Sequence, residues 1–464
     1  MNIIIVGAGK VGITIGEQLS SENHNITIID LNQKKVEEAE EKFDVMGVVG
    51  NGASYQVQME AGVMDAELLI AVTGADELNL LCCLIAKKAG KCQTIARVRN
   101  PIYSKEVNFI KRQMGLSVVI NPELAAAQEI SKLLRLPYAK KVDTFARGRV
   151  EMVKFRMHPE LHMDGLKVAD ILSKMKCDVM ICGVERLKER KVVIPNGDFI
   201  LRDGDLVSMM AVPRETAKFF KKMGIPTHQV KSTLIVGGGM IAFYLAKQLL
   251  EMRVDVRIIE QNKERCEMLS EELPDATILQ GDGTDKEFLL EEGLAHTESL
   301  VALTNMDEEN VFLALFAKEN LMLALLARKY SEAKLVAKVN RIHFEEVIDD
   351  LDIDSIIYPK NLAAEHIVRY TRAMQNSLGS NVETLYKVMD GAAEALEFVI
   401  REESHVTNRT LRELSLKDNL LVCYISRFGK LKMARGQDML KVGDSVIVVT
   451  THKGLNDITD ILKY

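Results

Sequence analysis

The sequence predicts an α/β protein: two Rossmann-like, doubly wound parallel-sheet domains, each followed by a small α+β domain. Three observations predict it. A glycine fingerprint between a strand-like run and a helical pattern occurs twice, as Gly7-Ala8-Gly9-Lys10-Val11-Gly12 and as Gly237-Gly238-Gly239-Met240-Ile241-Ala242. After the first fingerprint, short β-rich runs alternate with helical patterns, the signature of βαβ units in a parallel sheet, and its landmarks recur in order after the second. Each such stretch gives way to a shorter segment with one closing signature. Gly197, Leu201, Gly204 and Asp205 precede the apolar run 206–212, and Gly436, Leu440, Gly443 and Asp444 precede 445–449.

In chain order, the first half offers strands at 2–6, 26–30, 45–49, 68–73, 94–98 and 117–120. Helices between them begin near Lys10, Gln33, Tyr55, Asp76 and Ser104. A helix after a proline closes each fingerprint domain, from Pro122 and from Pro359. In the small segments, a Gly-Asp turn feeding an apolar run predicts a hairpin into a buried strand. The boundaries then place nucleotide-type domains at 1–137 and 231–374, and small domains at 142–222 and 384–464.

The landmarks repeat in one order, which identifies a duplicated unit. The strand end Asp30 recurs as Glu260, and Gly50-Asn51-Gly52 as Gly281-Asp282-Gly283. Thr73, Asp76, Glu77 and Asn79 recur as Thr304, Asp307, Glu308 and Asn310, and Arg97 as Lys338. One departure stands out. Residues 309–318 are followed at once by a near copy, 319–328, so Lys338 follows Thr304 by 34 positions where Arg97 follows Thr73 by 24. As added helix, the insert amounts to roughly 15 Å and a rotation of about 80°. A longer helix is the expected form, since both copies are apolar with a charged seam.

Composition bounds the function. A length of 464 residues with 47% hydrophobic and 27% charged content is globular and exceeds one core. A net charge of −6 supplies no basic field for nucleic acid or an anionic membrane. The N-terminus reads as a strand without the regions of a signal peptide. The longest apolar stretch, 311–327, is broken by Lys318, Glu319 and Asn320, short of a bilayer span. The seven cysteines (Cys82, Cys83, Cys92, Cys177, Cys182, Cys266 and Cys423) form no C-x-x-C pair. They read as reduced core thiols of a cytoplasmic protein.

The fingerprints carry the chemistry. Gly7 permits a tight turn, Gly9 lets backbone approach a pyrophosphate, and Gly12 allows close helix–strand packing. The helix N-terminus then offers free N–H donors and the positive end of its dipole. Asp30 stands 23 residues after Gly7, where a carboxylate accepts from ribose hydroxyls and disfavours the extra phosphate of NADP. The ligand expected is an adenine nucleotide, NAD(H) or ATP/ADP. Glu260 keeps the same spacing in the second half, but Met240 replaces Lys10 and Ala242 replaces Gly12. Thr73-Gly74 and Thr304-Asn305 fall at a strand's C-terminal end, either meeting the ribose and phosphates or capping the next helix. Gly50 to Gly52 and Gly281 to Gly283 either border the adenine or serve as plain turns. Arg97 and Lys338 either meet a distal phosphate or form exposed salt bridges.

No H-E-x-x-H, G-x-S-x-G or Walker A motif is present, and the nine histidines include none beside a fingerprint; His158 and His162 fall in the small segment. A dehydrogenase requires an acid/base against the nicotinamide, and none presents itself. The tandem units of fingerprint, acidic strand end, Gly-x-Gly and Thr-x-x-Asp-Glu with a small C-terminal domain resemble the peripheral NAD-binding subunits of Trk-type potassium uptake systems, built from domains called RCK or KTN. The resemblance covers essentially the whole chain. It implies a non-enzymatic, cytoplasmic regulator, peripheral to the inner face of the cell membrane. Such a regulator assembles as a homo-oligomeric ring and gates a potassium-translocating membrane subunit of Trk or Ktr type in response to nucleotide. It also implies nucleotide contacts at Gly7, Ala8, Gly9, Lys10, Val11, Asp30, Thr73, Gly74 and Arg97. In the second unit the matching residues are Gly237, Gly238, Gly239, Met240, Ile241, Glu260, Thr304 and Lys338. The alternative is an NAD-dependent oxidoreductase with a duplicated Rossmann unit; a third reading, the soluble part of a potassium efflux or antiport system, would ordinarily be fused to membrane helices. No catalytic residue, metal site or nucleic-acid partner is expected.

Overall fold

Strand β1 (Asn2–Val6) has Ile3, Ile4, Ile5 and Val6 all buried, as a strand covered on both faces requires. The structure, a computed structural model, describes residues 1–146, 148–161, 163–186, 189, 191–225, 228–326, 334–340, 353, 355–376 and 382–463. After β1 come α1 (Lys10–Ser20), β2 (Asn25–Asp30), α2 (Gln33–Lys42), β3 (Val45–Val49), α3 (Tyr55–Glu60), β4 (Leu68–Ala71), α4 (Asp76–Ala89) and β5 (Gln93–Arg97). Then follow α5 (Pro101–Lys105), α6 (Val107–Met114), β6 (Val118–Ile120) and α7 (Pro122–Arg135). The strand order is β3-β2-β1-β4-β5-β6 with all pairs parallel, the doubly wound Rossmann arrangement.

The first small domain contains β7 (Lys141–Phe145), β8 (Val150–Arg156), α8 (Val168–Met175), β9 (Val179–Arg186), β10 (Lys191–Val193), β11 (Leu206–Ala211) and α9 (Pro213–Lys222). Its antiparallel sheet runs β10-β9-β11-β8-β7.

The second half repeats the first with β12 (Ser232–Val236), α10 (Met240–Glu251), β13 (Asp255–Glu260), α11 (Lys263–Glu272), β14 (Thr277–Gln280), α12 (Lys286–Glu291), β15 (Ser299–Ala302), α13 (Asp307–Leu326), β16 (Lys334–Lys338), β17 (Ser355–Ile357) and α14 (Pro359–Asn376). The order β14-β13-β12-β15-β16-β17 copies the first sheet. The last small sheet is formed by β18 (Val382–Val388), β19 (Ala393–Val399), β20 (Leu420–Arg427), β21 (Lys430–Met433) and β22 (Ser445–Thr450), in the order β18-β19-β22-β20-β21.

Two compact units group like with like. The first holds both parallel sheets (Met1–Ser131, Lys231–Ala324 and Leu335–Val368), the second both antiparallel ones (Lys132–Val230 and Arg369–Tyr464). Within the first unit, Tyr244 of α10 donates to the Arg99 carbonyl at 2.7 Å and accepts from Asn121 at 3.1 Å. Within the second, the sheets share one core: Phe145, Met152, Cys182 and Met210 meet Met389, Ala395, Cys423 and Ile447. Burial pushes the Cys182 thiol up to about 12 and the Cys423 thiol well above its ordinary value, so both are inert core groups. A repeated ion pair, Arg135–Glu151 and Arg372–Glu394, ties the end of each proline-led helix to its small sheet.

Several expectations need correction. The fifth helical stretch begins at Pro101, not near Ser104, because the Asn100 side chain caps it by accepting from the Ile102 N–H, with proline at the first position. The strand expected at 68–73 ends at Ala71; Val72 stays buried with its N–H on the Val6 carbonyl, and Thr73 bonds to Asn79 instead. Gly204 and Gly443 do adopt left-handed φ, +86° and +89°. The strands that follow are central, however, paired to β8 and β9 or to β19 and β20, so no hairpin with the preceding segment forms. The duplicated segment is helical through Leu326: α13 has 20 residues where α4 has 14. Ala327, Arg328 and His162 lie outside the described residues. Sheet register survives the insert, with Lys338 opposite Ile357 as Arg97 is opposite Ile120. No helix among the described residues is long and apolar enough to cross a membrane.

Candidate nucleotide-binding site

The β1–α1 turn is built as its glycines require. Gly7 has φ +109°, and a Cβ on it would press on the Val72–Thr73 backbone at 3.1–3.2 Å. A Cβ on Gly12 would stand 1.8 Å from the Gly7 carbonyl oxygen, so helix and loop touch through bare backbone. Gly9 and Gly74 have open space where a Cβ would point. Gly9 is the N-cap of α1, with no side-chain cap and no acid in the first turn, so the helix's free N–H groups and positive dipole end stay available. Gly237 (φ +102°) and the N-cap Gly239 repeat this arrangement.

A cavity of about 920 Å³ lies over the first fingerprint, in the unit of parallel sheets. Gly7, Gly9, Lys10, Val11, Asp30, Thr73, Gly74 and Arg97 all line it. Ala8 does not, but its N–H donates to Asp30 Oδ2 at 2.7 Å, while Asn32 N–H donates to Oδ1 at 2.9 Å. The carboxylate therefore anchors the loop. From the second half, Gly239, Met240, Ile241 and Lys338 line the same cavity; Gly237, Gly238, Glu260 and Thr304 do not. Glu260 nonetheless repeats the anchor, accepting from Gly238 N–H and Asn262 N–H at 2.8 Å each. Gly50, Asn51 and Gly52 border the cavity beside Asp30; Gly281, Asp282 and Gly283 do not reach it.

The threonines neither cap the next helix nor stand free. The N-cap of α4 is Ala75. Thr73 gives both its N–H and its hydroxyl to Asn79 Oδ1, each at 2.7 Å, and Asn79 Nδ2 donates to the carbonyls of Thr73 (3.3 Å) and Arg97 (3.0 Å). Asn310 likewise accepts from the Thr304 N–H and donates to the Thr304 and Lys338 carbonyls, while the Thr304 hydroxyl donates to the Met306 carbonyl at 3.1 Å. Both asparagines are 0% exposed. They clamp the ends of the two strands bordering the cavity, a role visible in the sequence only as a repeated letter.

Arg97 is not in an exposed salt bridge. It pairs with Glu123 at 2.6 Å, both largely buried, and both line the cavity. Arg97 Nε and Glu123 Oε2 are buried without hydrogen-bond partners, a donor and an acceptor unspent at the cavity wall. Lys338 is buried and donates to the Leu303 carbonyl at 3.2 Å. Burial pushes its pKa down and the Lys10 charge adds to that, against the attraction of Asp307. Sequence reasoning missed Asn79, Glu123, Lys35, Lys360 and Arg99, whose guanidinium bonds to the Gly74 carbonyl and pairs with Asp76 at 3.6 Å. In all, Lys10, Lys35, Arg97, Lys338 and Lys360 face two carboxylates, Asp30 and Glu123. Such a wall attracts a polyanion.

Comparison with known proteins identifies the family. The TrkA-N domain model matches residues 3–122 and 233–359, and the TrkA-C domain model 152–224 and 395–463. The Trk system potassium uptake protein TrkA homolog of Archaeoglobus fulgidus is 31% identical, with 100% of both chains covered. TrkA homolog 1 of Methanosarcina mazei is 30% identical, again over 100% of each. TrkA of Haemophilus influenzae is 28% identical, over 98% of this chain and 96% of its own. Among solved structures, the GsuK channel bound to NAD shares the fold at TM-score 0.62 and 17% identity, covering 97% of this chain and 76% of that one. The GsuK RCK domain gives the same TM-score over 97% and 92%. With both models matched twice and full-length relatives at 30% identity and above, the chain belongs to the TrkA family of Trk-system potassium uptake proteins.

Proposed function

We propose that the chain is a regulatory subunit of a potassium uptake system that binds an adenine nucleotide, NAD(H) or ATP/ADP, at the first fingerprint and gates a potassium-translocating membrane partner without consuming the ligand. The observation that carries this reading is the cavity itself: uncapped helix N–H groups and five cationic side chains around a glycine loop with open space at Gly9. Gly7, Gly9, Lys10 and Val11 would hold the phosphates and Asp30 the ribose, with Thr73, Gly74 and Arg97 at the far end. On this reading the subunit sits at the cytoplasmic face of the membrane and assembles as a homo-oligomeric ring.

Binding is favoured over turnover by the lining. It contains no histidine, cysteine or tyrosine, and each of its two carboxylates already accepts a hydrogen bond, Asp30 from backbone and Glu123 from Arg97. Gating then follows from differential affinity alone: a ligand shifts a conformational equilibrium by as much as it prefers one state. Oxidised and reduced dinucleotide, or di- and triphosphate, differ in charge beside a cationic wall, which supplies such a preference.

Titrating NADH, NAD, ATP and ADP against wild type, Asp30→Ala and Glu260→Ala tests the assignment. Binding falls about tenfold or more with Asp30→Ala and holds with Glu260→Ala, and the nucleotide is recovered unchanged. Steady consumption of NADH that a Gly9 substitution abolishes would overturn the regulatory reading.

A further inference from the structure

The two fingerprints share their backbone, but one side chain is placed differently over each. Helices α2 and α11 start identically, with Asn32 and Asn262 capping by accepting from the N–H of the third helical residue, Lys35 and Arg265. Lys35 lines the large cavity. Arg265 instead lies back over its own fingerprint: Nε donates to the Gly238 carbonyl at 2.7 Å, Nη2 reaches Met240 Sδ at 3.7 Å, and Nη1 reaches Met268 Sδ at 3.6 Å. The guanidinium thus spans from the glycine loop to the first residue of α10. In a Rossmann site that is the path of the ribose and first phosphate.

We propose that Arg265 fills the ribose–phosphate path of the second fingerprint, so that this half admits an adenine nucleotide only when the arginine is displaced. The pairing with Met240 explains why this happens in one half alone. In the first half the residue at that helix start is Lys10, and two like charges at such range repel; in the second, the thioether sulfur is a weak acceptor instead. Burial of the guanidinium pulls its pKa down, and Glu260, at the end of β13, counters part of that. Arginine suits the place better than lysine, because its planar fork reaches a carbonyl and two sulfurs at once where an ammonium is a point charge. Lys10 with Lys35 makes an open site, and Met240 with Arg265 makes a closed one.

This inference rests on the nucleotide reading of the first half, and the test separates the two. Binding of ADP and of NADH is measured calorimetrically on the full chain as wild type, Arg265→Lys and Met240→Lys, each also in an Asp30→Ala background. Arg265→Lys installs the first half's own residue, and Met240→Lys expels the arginine by repulsion without altering it. Wild type binds one equivalent per chain; both variants gain a second, and in the Asp30→Ala background they regain binding about tenfold or more tighter than Asp30→Ala alone. Two equal sites in wild type, or one site in wild type and in both variants, would overturn the role of Arg265 while leaving the first site intact. Absence of binding in every chain would overturn the nucleotide reading and this proposal with it.

Discussion

The first and second nucleotide-type halves agree wherever backbone is held and differ at side chains around the fingerprint. Strand order, the left-handed glycine turn, the carboxylate that accepts two N–H groups and the buried asparagine clamp are all duplicated. Lys10, Gly12 and Lys35 stand opposite Met240, Ala242 and Arg265. The difference teaches that a duplicated fold keeps what an unpaired buried polar group would penalise and releases what only a ligand would use.

If the asparagine clamp is scaffold, removing it must hurt both halves alike, and this is the largest effect expected. Asn79→Ala leaves the Thr73 N–H and the Thr73 and Arg97 carbonyls without their partner. Asn310→Ala does the same to Thr304 and Lys338. Each should destabilise by about 2–4 kcal/mol, read as a fall in the denaturation midpoint. A harmless change at either position would show that the halves are not held the same way.

The third fingerprint position should respond asymmetrically. Gly12→Ala drives a Cβ to 1.8 Å from the Gly7 oxygen, and the backbone must move. A cost of about 1–3 kcal/mol and an at least tenfold loss of nucleotide binding are expected. Ala242 already sits at that place in the second half, fully buried, so Ala242→Gly should cost no more than about 1 kcal/mol. Equal effects on denaturant midpoint and titration would erase the asymmetry.

Much of this was legible in the sequence because it rests on local rules. Short β-rich runs, glycine turns and an acidic residue at a fixed distance locate β1, β2, α1, α2 and Asp30, and their copies. The strand ends were less legible: Val72 and Thr73 extend the pattern of β4, yet Asn79 takes the Thr73 N–H and hydroxyl. The site's remaining parts come from distant segments. Glu123 reaches Arg97 across 26 positions, and Arg265 reaches Gly238 across 27. No local period encodes such approaches. That Lys338 joins the first half's cavity follows from the packing of two sheets in one unit, which strand patterns do not specify.

Lys338 sharpens the comparison by pH, with the smallest effect. It occupies the place of Arg97, but burial and the Lys10 charge lower its pKa, whereas an arginine stays charged throughout the accessible range. The sign follows from proton counting. The unfolded chain binds the lysine's proton more tightly than the folded one, so stability rises as pH climbs from the lowered folded value towards the ordinary 10.5. Anion binding runs the other way, because the cavity loses a positive charge as Lys338 deprotonates. Nucleotide affinity should fall a few-fold as pH climbs towards 10.5, while the contribution of Lys338 itself to stability, read as wild type against Lys338→Met, rises. Lys338→Met should flatten the affinity trend, and Lys338→Arg should hold affinity constant with pH. A wild-type affinity that stays level through that window would mean the charge of Lys338 plays no part in holding the ligand, and that the other cations of the wall do so.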